Sequence, residues 1–300
     1  MAPKRGNAPL WFDFLKQVTN ENTELVEFLQ RMVGYCLTGD TREECLFFLY
    51  GEGGNGKGTF VGALSAILSD FAKDAAMDTF LASQHERHST DLAMLRGARL
   101  VTASETERGR SWNEQRVKAL TGRDRITCRF MRQDNFTYTP QFKLLLLGNN
   151  KPTLHSVDAA WRRRFHIVPF NYTPPKADLT LKDRLVNEYP QILNWMIDGC
   201  IKWRASGLKV PEVVLNETDE YFAAQDTFSE WLETCCELKK TFVDTSSRLF
   251  KSWKAFAENA GESPGTSKSL ADRLQSRGMK RLRNVPLMGG RGFQGLQIRQ

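Results

Sequence analysis

Four short apolar runs, "CLFFLY", "ARLVTAS", "FKLLLLG" and "FHIVPF", lie at long intervals between residues 45 and 170. Helical or loop-like sequence separates each run from the next. Near-continuous apolar runs fit strands covered on both faces, as in a parallel sheet flanked by helices. The pattern predicts an α/β domain. The chain has 300 residues, 41% of them hydrophobic, enough for a sizeable core and more than one domain.

The first run leads into a glycine loop, "LFFLYGEGGNGKGTF". The phosphate-loop pattern G-x-x-x-x-G-K-[ST] is met at Gly51, Gly56 and Lys57, but Gly58 stands where the hydroxyl belongs and Thr59 follows one place late. "FVGALSAILSD" then reads as a helix, with Phe60, Leu64, Ile67 and Leu68 on one face. Strand, glycine loop and helix together aim free backbone N–H groups and the positive helix end at a phosphate. Lys57 would reach the β/γ-phosphates as a point charge.

Hydrolysis of a nucleoside triphosphate needs further groups at neighbouring strand ends. "ARLVTASETE" supplies Glu105 and Glu107. "LLLLGNNKP" supplies Asn149. "WRRRF" supplies Arg162, Arg163 and Arg164 for transition-state charge. Each has a plain structural reading alone, but their order and strand-end positions point to one site.

Flanking sequence divides the chain further. Residues 1–44 read as a helical segment, with Leu25, Phe28, Leu29, Met32 and Val33 at helical spacing. The ATPase-like part spans 45–225. From 226 the pattern changes to three helices, "TFSEWLETCCEL", "TSSRLFKSWKAFAENAG" and "SKSLADRLQSRG", then a hairpin around Gly289-Gly290. Three helices and a hairpin suggest a winged-helix domain over 226–300. The net charge is +7, and Lys268 to Gln300 holds eight Lys/Arg against the single acid Asp272. A basic end on a balanced body suggests a nucleic-acid contact.

Composition excludes other classes. No run of about 18 apolar residues suggests a membrane span. "MAPKRGNAPLW" has a basic patch but no apolar run behind it, so no secretory signal is expected. The six cysteines form no C-x-x-C pair, and His85 and His88 lack cysteine partners. Reduced thiols are expected rather than a zinc site.

Taken together, these motifs resemble superfamily 3 helicases of the poxvirus and phage/plasmid primase-helicase type. "FLYGEGGNGKGTF" resembles the Walker A motif of that family, "LRGARLVTASETE" its Walker B, and "VKALTGRDRITCRFM" its B′ motif. "FKLLLLGNNKP" resembles motif C, and "WRRRFHIVPF" the arginine-finger segment. "FLQRMVGYCLTGD" resembles the segment leading into the ATPase, and the resemblance runs from about residue 8 to the end. It implies an AAA+-like P-loop ATPase core, with a short N-terminal collar-like helical segment and a C-terminal winged helix.

The resemblance also implies roles. ATP and Mg²⁺ would be bound by Gly51, Gly53, Gly54, Asn55, Gly56, Lys57, Gly58 and Thr59, with Thr59 supplying the metal hydroxyl. Glu105 would hold Mg²⁺ or polarise the attacking water, with Glu107 the second candidate. Asn149 would be the sensor. Arg163 or Arg164 would reach the ATP of a neighbour in a ring, usually of six; Arg162 sits where the family often has an aromatic residue. "RITCRFMRQDNFTYTP" would form a hairpin lining the central pore. Lys118, Arg129 and Arg132 are its candidate phosphate contacts, and Phe136 and Tyr138 read first as hairpin packing. In the winged helix, Lys268, Arg273, Arg277, Lys280, Arg281 and Arg283 would contact duplex phosphates.

The expected activity is a 3′-to-5′ helicase on single-stranded and forked DNA, replicating a phage, plasmid or other mobile element. A cytoplasmic setting, bacterial by expectation, and a separate primase or polymerase would accompany it. The alternatives are a nucleotide-regulated origin-binding or loading protein, and a small-molecule P-loop kinase. The kinase explains neither the basic C-terminal unit nor the arginine run.

Overall fold

Leu46, Phe47, Phe48 and Leu49 can all be buried at once only in a strand covered on both faces. In the computed structural model, which describes residues 1–83, 89–104, 110–154, 158–175 and 178–299, all four are wholly buried. Each such side chain contributes about 1.5–3 kcal/mol by leaving water.

In chain order the described elements are α1 (Pro9–Val18), α2 (Thr23–Cys36), β1 (Leu46–Tyr50), α3 (Lys57–Leu68), β2 (Ala72–Asp74), α4 (Thr90–Ala93) and β3 (Leu100–Ala103). Then come α5 (Glu114–Thr121), β4 (Ile126–Cys128), β5 (Phe136–Tyr138), β6 (Lys143–Gly148), α6 (Ala159–Arg164), β7 (Phe165–Pro169) and α7 (Leu181–Leu185). The last are α8 (Tyr189–Ser206), α9 (Glu212–Cys235), β8 (Cys236–Thr245), α10 (Ser246–Asn259), α11 (Ser267–Ser276), β9 (Lys280–Leu282) and β10 (Gly292–Ile298).

The four apolar runs are β1, β3, β6 and β7, and they share one parallel sheet of order β2-β3-β6-β1-β7. Leu46 stands opposite Leu144 on one side and Phe165 on the other. The edge strand β2 carries the sequence Ala-Lys-Asp and gave no apolar signal. The β4–β5 hairpin is antiparallel, with Thr127 opposite Thr137.

The chain separates into two compact units. The first comprises Met1–Thr106, Gln115–Lys151 and Arg163–Thr218; the second comprises Glu107–Glu114, Pro152–Arg162 and Asp219–Gln300. The expected boundary at 226 falls inside α9, which has no Gly or Pro to stop it between Glu212 and Cys235. The division follows side chains instead. Val214 packs in the core of the first unit, and the Thr218 hydroxyl accepts from Ile167 N at 3.0 Å. Phe228, Trp231 and Leu232 belong to the core of the second.

The N-terminal helices are part of the first unit rather than a segment apart. Trp11 is fully buried and stacks on Phe60 of α3 at 5.6 Å between ring centroids. Asn22 caps α2 by accepting from Leu25 N at 2.9 Å. Lys143, at the start of β6, is buried with its ammonium donating to the carbonyls of Thr38, Asp40 and Gln141. Burial pushes its pKa down to about 8.

In the second unit, the order from the end of α9 is helix, strand, two helices and two strands, with a sheet of order β8-β10-β9. The ten-residue β8 takes in the last three residues of one expected helix, Cys236 to Leu238, and the first of the next, Thr245. Its polar sequence carries no strand signal; pairing along β10 creates it, with an irregularity between Gln294 and Gly295. Thr266 and Ser269 form a reciprocal capping box that starts α11.

Candidate functional site

Lys57 opens α3 directly behind the glycine loop, and the loop is shaped by its neighbours. A Cβ at Gly51 would collide with the carbonyl of Phe170 and the amide of Asn55. Gly56 has φ +87°, and a Cβ there would lie 2.7 Å from Val18 and 2.9 Å from Phe14 of α1. Only glycine meets both demands, a left-handed backbone and a helix pressed against it. Asn55 is buried; its amide donates to Phe170 O at 2.5 Å, tying the loop to the chain beyond β7.

The Lys57 ammonium donates to Gly51 O at 2.7 Å, Glu52 O at 3.0 Å, Asn55 Oδ1 at 3.0 Å and Asn149 Oδ1 at 3.1 Å. Burial lowers its pKa from the ordinary lysine value. Asn149 follows β6, the strand between β1 and β3 in the sheet. The sheet order therefore brings the loop lysine and the strand-end asparagine together, though 92 residues separate them.

A cavity of about 790 Å³ opens over this loop. Gly53 to Thr59, Ser104, Asn149 and Asn150 line it, together with the apolar side chains of Phe14, Val18, Tyr172 and Leu179. Leu179 is 88% exposed. Sequence reading missed Ser104 and the apolar wall. Ser104 had a signal, since it directly precedes the acidic pair; α1 and the 172–182 segment had none, being distant in sequence.

The residues present fit a polyphosphate. Gly56, the N-cap of the twelve-residue α3, has no side chain to occupy the free N–H groups of Lys57 and Gly58, and both residues line the cavity. A Cβ at Gly58 would meet nothing within 4 Å. Thr59 lines the same cavity. Glu105 and Glu107, the carboxylates expected to hold a metal, lie outside the described residues, as do His85 and His88.

The arginine run divides three ways. Arg162 lies 5.2 Å over the Phe222 ring in the second unit, next to Trp161, which is fully buried beside Trp112. In the first unit, Arg164 pairs with Glu44 at 3.1 Å and its side chain is 9% exposed. Arg163 reaches the same carboxylate only at 3.7 Å and is 65% exposed.

At the β4–β5 hairpin, Arg129 and Arg132 are exposed at the turn, and Lys118 is half-buried on α5. Phe136 stacks on Phe130 at 5.8 Å with Arg96 over its face at 5.0 Å. The Tyr138 hydroxyl donates to Leu92 O at 2.7 Å. Phe136 packs within the hairpin and Tyr138 ties it to α4.

In the second unit, Lys268, Lys280, Arg281 and Arg283 are exposed. Arg273 and Arg277 turn inward. Arg273 lies over Phe228 and Trp253 at 5.5 and 5.6 Å, and Arg277 donates to the Ser229 hydroxyl at 2.7 Å. Burial lowers the pKa of both. They join α11 to α9, a role that sequence alone does not separate from phosphate contact.

Similar proteins include viral replication proteins. The profile of a family of unknown function, DUF5906, matches residues 49–164, from the end of β1 to the arginine run. A putative helicase, L207/L206, of Acanthamoeba polyphaga mimivirus is 28% identical over 240 residues, 73% of this chain and 25% of the relative. Primase D5 of fowlpox virus (strain NVSL) is 24% identical over 168 residues, 53% of this chain and 20% of the relative. The chain is thus similar in sequence to parts of a viral protein named a putative helicase and of a viral primase. It spans about a quarter or less of the length of these two relatives. In fold it is similar to the apo C-terminal region of NrS-1, with a TM-score of 0.57, 12% identity, and coverage of 98% of this chain and 77% of that one. Among the described residues, no helix is long and apolar enough to cross a membrane.

Proposed function

We propose that this chain is an ATP-hydrolysing motor that unwinds DNA during replication of a virus, phage or other mobile element. The observation that carries the reading is the contact between Lys57 of the glycine loop and Asn149 at the end of the neighbouring β6. The backbone N–H groups at the start of α3 and the Lys57 ammonium hold the β- and γ-phosphates. Asn149 senses the γ-phosphate, because it shares the ammonium that the phosphate engages. Phe14, Val18, Tyr172 and Leu179 offer apolar surface to the nucleobase.

Bound Mg²⁺ neutralises phosphate charge, with Thr59 and Glu105 as its proposed ligands and Glu107 as the second acid. Arg163 is the residue that reaches the nucleotide of a neighbour in a homo-hexameric ring, because Arg164 is committed to Glu44. Arg129 and Arg132 on the hairpin grip single-stranded DNA, with Lys118 behind them. The second unit acts as a winged helix that holds duplex DNA through Lys268, Lys280, Arg281 and Arg283. Movement is 3′ to 5′ on forked DNA, in the host cytoplasm.

The test is ATP hydrolysis with and without single-stranded DNA, for wild type and Lys57→Ala, followed by strand displacement with opposed overhangs. Hydrolysis that DNA stimulates and Lys57→Ala removes supports a motor. One observation favours a second reading: Gly58 leaves the usual metal hydroxyl position without a side chain. Nucleotide binding without turnover would make the chain a nucleotide-regulated loader instead.

A further inference from the structure

The loop between β9 and β10 holds two large apolar side chains toward solvent at its tip. Leu287 is 109% exposed and Met288 50% exposed. Leu287 also has φ +64°, a left-handed backbone that a branched side chain rarely adopts. A loop that only needed to turn would use glycine or asparagine at such a position.

The loop is built, not loose. Val285 is fully buried; its N–H donates to Gly290 O at 2.8 Å and its carbonyl accepts from Gly289 N at 2.9 Å. At the base, a Cβ on Gly292 would collide with the Asp244 carbonyl and the Val285 side chain. The tip is therefore held outward by a packed and hydrogen-bonded stem.

Its surroundings are cationic. Arg283 and Arg291 leave the strands just beyond the Leu282–Gly292 pair, and Lys280 and Arg281 lie on β9. From Lys280 to Gln300 there are five Lys/Arg and no acid. A second copy of the chain or an apolar protein partner would leave these charges without complement; a polyphosphate backbone matches them. Apolar Leu and Met side chains flanked by arginine are the means by which proteins part stacked base steps from a groove.

We propose that the 283–291 loop is a duplex wedge, in which Leu287 and Met288 enter between base pairs while Arg283 and Arg291 hold the phosphates on either side. The wedge rests on the reading of the second unit as a DNA-holding module and adds base-step unstacking to it. Flexible pyrimidine–purine steps such as TA are the sites it would open most readily.

The experiment uses the full chain and duplexes carrying 2-aminopurine, which fluoresces when unstacked, at TA steps or within a G·C-rich run. Binding is followed separately by anisotropy. Wild type is expected to bind and to raise fluorescence at TA steps. Leu287→Ser with Met288→Ser is expected to bind with little change in affinity but to lose the rise; Leu287→Met is expected to keep it. Arg283→Ala with Arg291→Ala is expected to weaken binding and flatten its salt dependence. Binding by wild type with no rise overturns the wedge alone, as does a rise that the serine variant retains. Failure of wild type to bind any duplex overturns the DNA-holding reading and the wedge with it. A serine variant that changes the sedimentation coefficient but not the fluorescence marks a protein contact and overturns the wedge.

Discussion

Lys57 Nζ donates to Asn149 Oδ1 at 3.1 Å, joining the glycine loop to the end of the adjacent strand. Four oxygens surround this ammonium, which has three protons, so its bonds must be shared. Gly51, Glu52 and Asn55 belong to the loop itself, so a phosphate oxygen that competes for the lysine acts on the link to the neighbouring strand through Asn149. Asn149→Ala is therefore expected to lower the turnover rate about 10²-fold, the usual loss of one positioned polar group, while nucleotide affinity changes little. Lys57→Ala should lose affinity as well. Equal loss of nucleotide binding in both variants, measured by titration calorimetry, would reduce Asn149 to a structural prop.

The metal hydroxyl can be moved. Space around Gly58 admits a side chain, and Thr59 lies one residue on, rotated by about 100° on the helix. If Thr59 is the metal ligand, Thr59→Ala should abolish Mg²⁺-dependent hydrolysis, and adding Gly58→Ser should restore part of it. Full activity of Thr59→Ala alone, across a Mg²⁺ titration, would remove this residue from the metal site.

Arg163 and Arg164 share Glu44 unequally, and they should fail differently. Arg164 is buried in its pair, so Arg164→Ala leaves Glu44 only the longer contact to exposed Arg163, removes buried packing, and should cost about 1–3 kcal/mol in urea unfolding. Arg163→Ala should leave stability within about 0.5 kcal/mol, as exposed pairs do, yet abolish DNA-stimulated hydrolysis. Mixing inactive Arg163→Ala with inactive Lys57→Ala should restore activity, because a mixed interface joins an intact loop to an intact arginine. No recovery on mixing would rule out a shared site.

How much of this was legible in sequence depended on whether the signal was local. The four central strands are buried on both faces, so their apolar runs announced them, and the glycine loop carried its spacing in one stretch. Asn149 followed because it leaves β6 at the same end of the parallel sheet as the glycine loop leaves β1; the arginine run did not, since it precedes β7 and pairs with Glu44 ahead of β1, at the opposite strand ends. What depended on distant partners was not legible. The polar β8 exists through its pairing with β10. The α1 wall of the cavity exists because Phe14 and Val18 meet Gly56. The inward turn of Arg273 and Arg277 depends on aromatic rings on α9 and α10. A count of basic residues cannot distinguish those two from four that face water.

Lys143 gives the first unit a pH signature. Its folded pKa is about 8 because burial disfavours the ammonium, while an unfolded lysine titrates near ~10.4. A depressed folded value means that the stabilising contribution is fully present above the unfolded pKa and is lost as pH falls through about 8. The stability difference between wild type and Lys143→Met should therefore shift in favour of wild type between pH 7 and pH 10. Urea unfolding of both proteins across that range checks it, and a pH-independent difference would mean that the buried ammonium keeps its proton.

The six basic candidates of the second unit should divide by where their charges point. Lys268, Lys280, Arg281 and Arg283 are exposed, and each one replaced by alanine should weaken duplex binding and lower the slope of log K against log salt by about 0.9. Arg273 and Arg277 lie over aromatic rings and bond within the unit. Removing either deletes a cation–π contact and its packing, together about 1–3 kcal/mol, and should leave the salt slope unchanged in protein that remains folded. Unfolding curves and salt titrations on the same six variants separate the two groups. A full unit of slope lost at Arg273, with stability intact, would show that its guanidinium leaves the aromatic face to meet a phosphate.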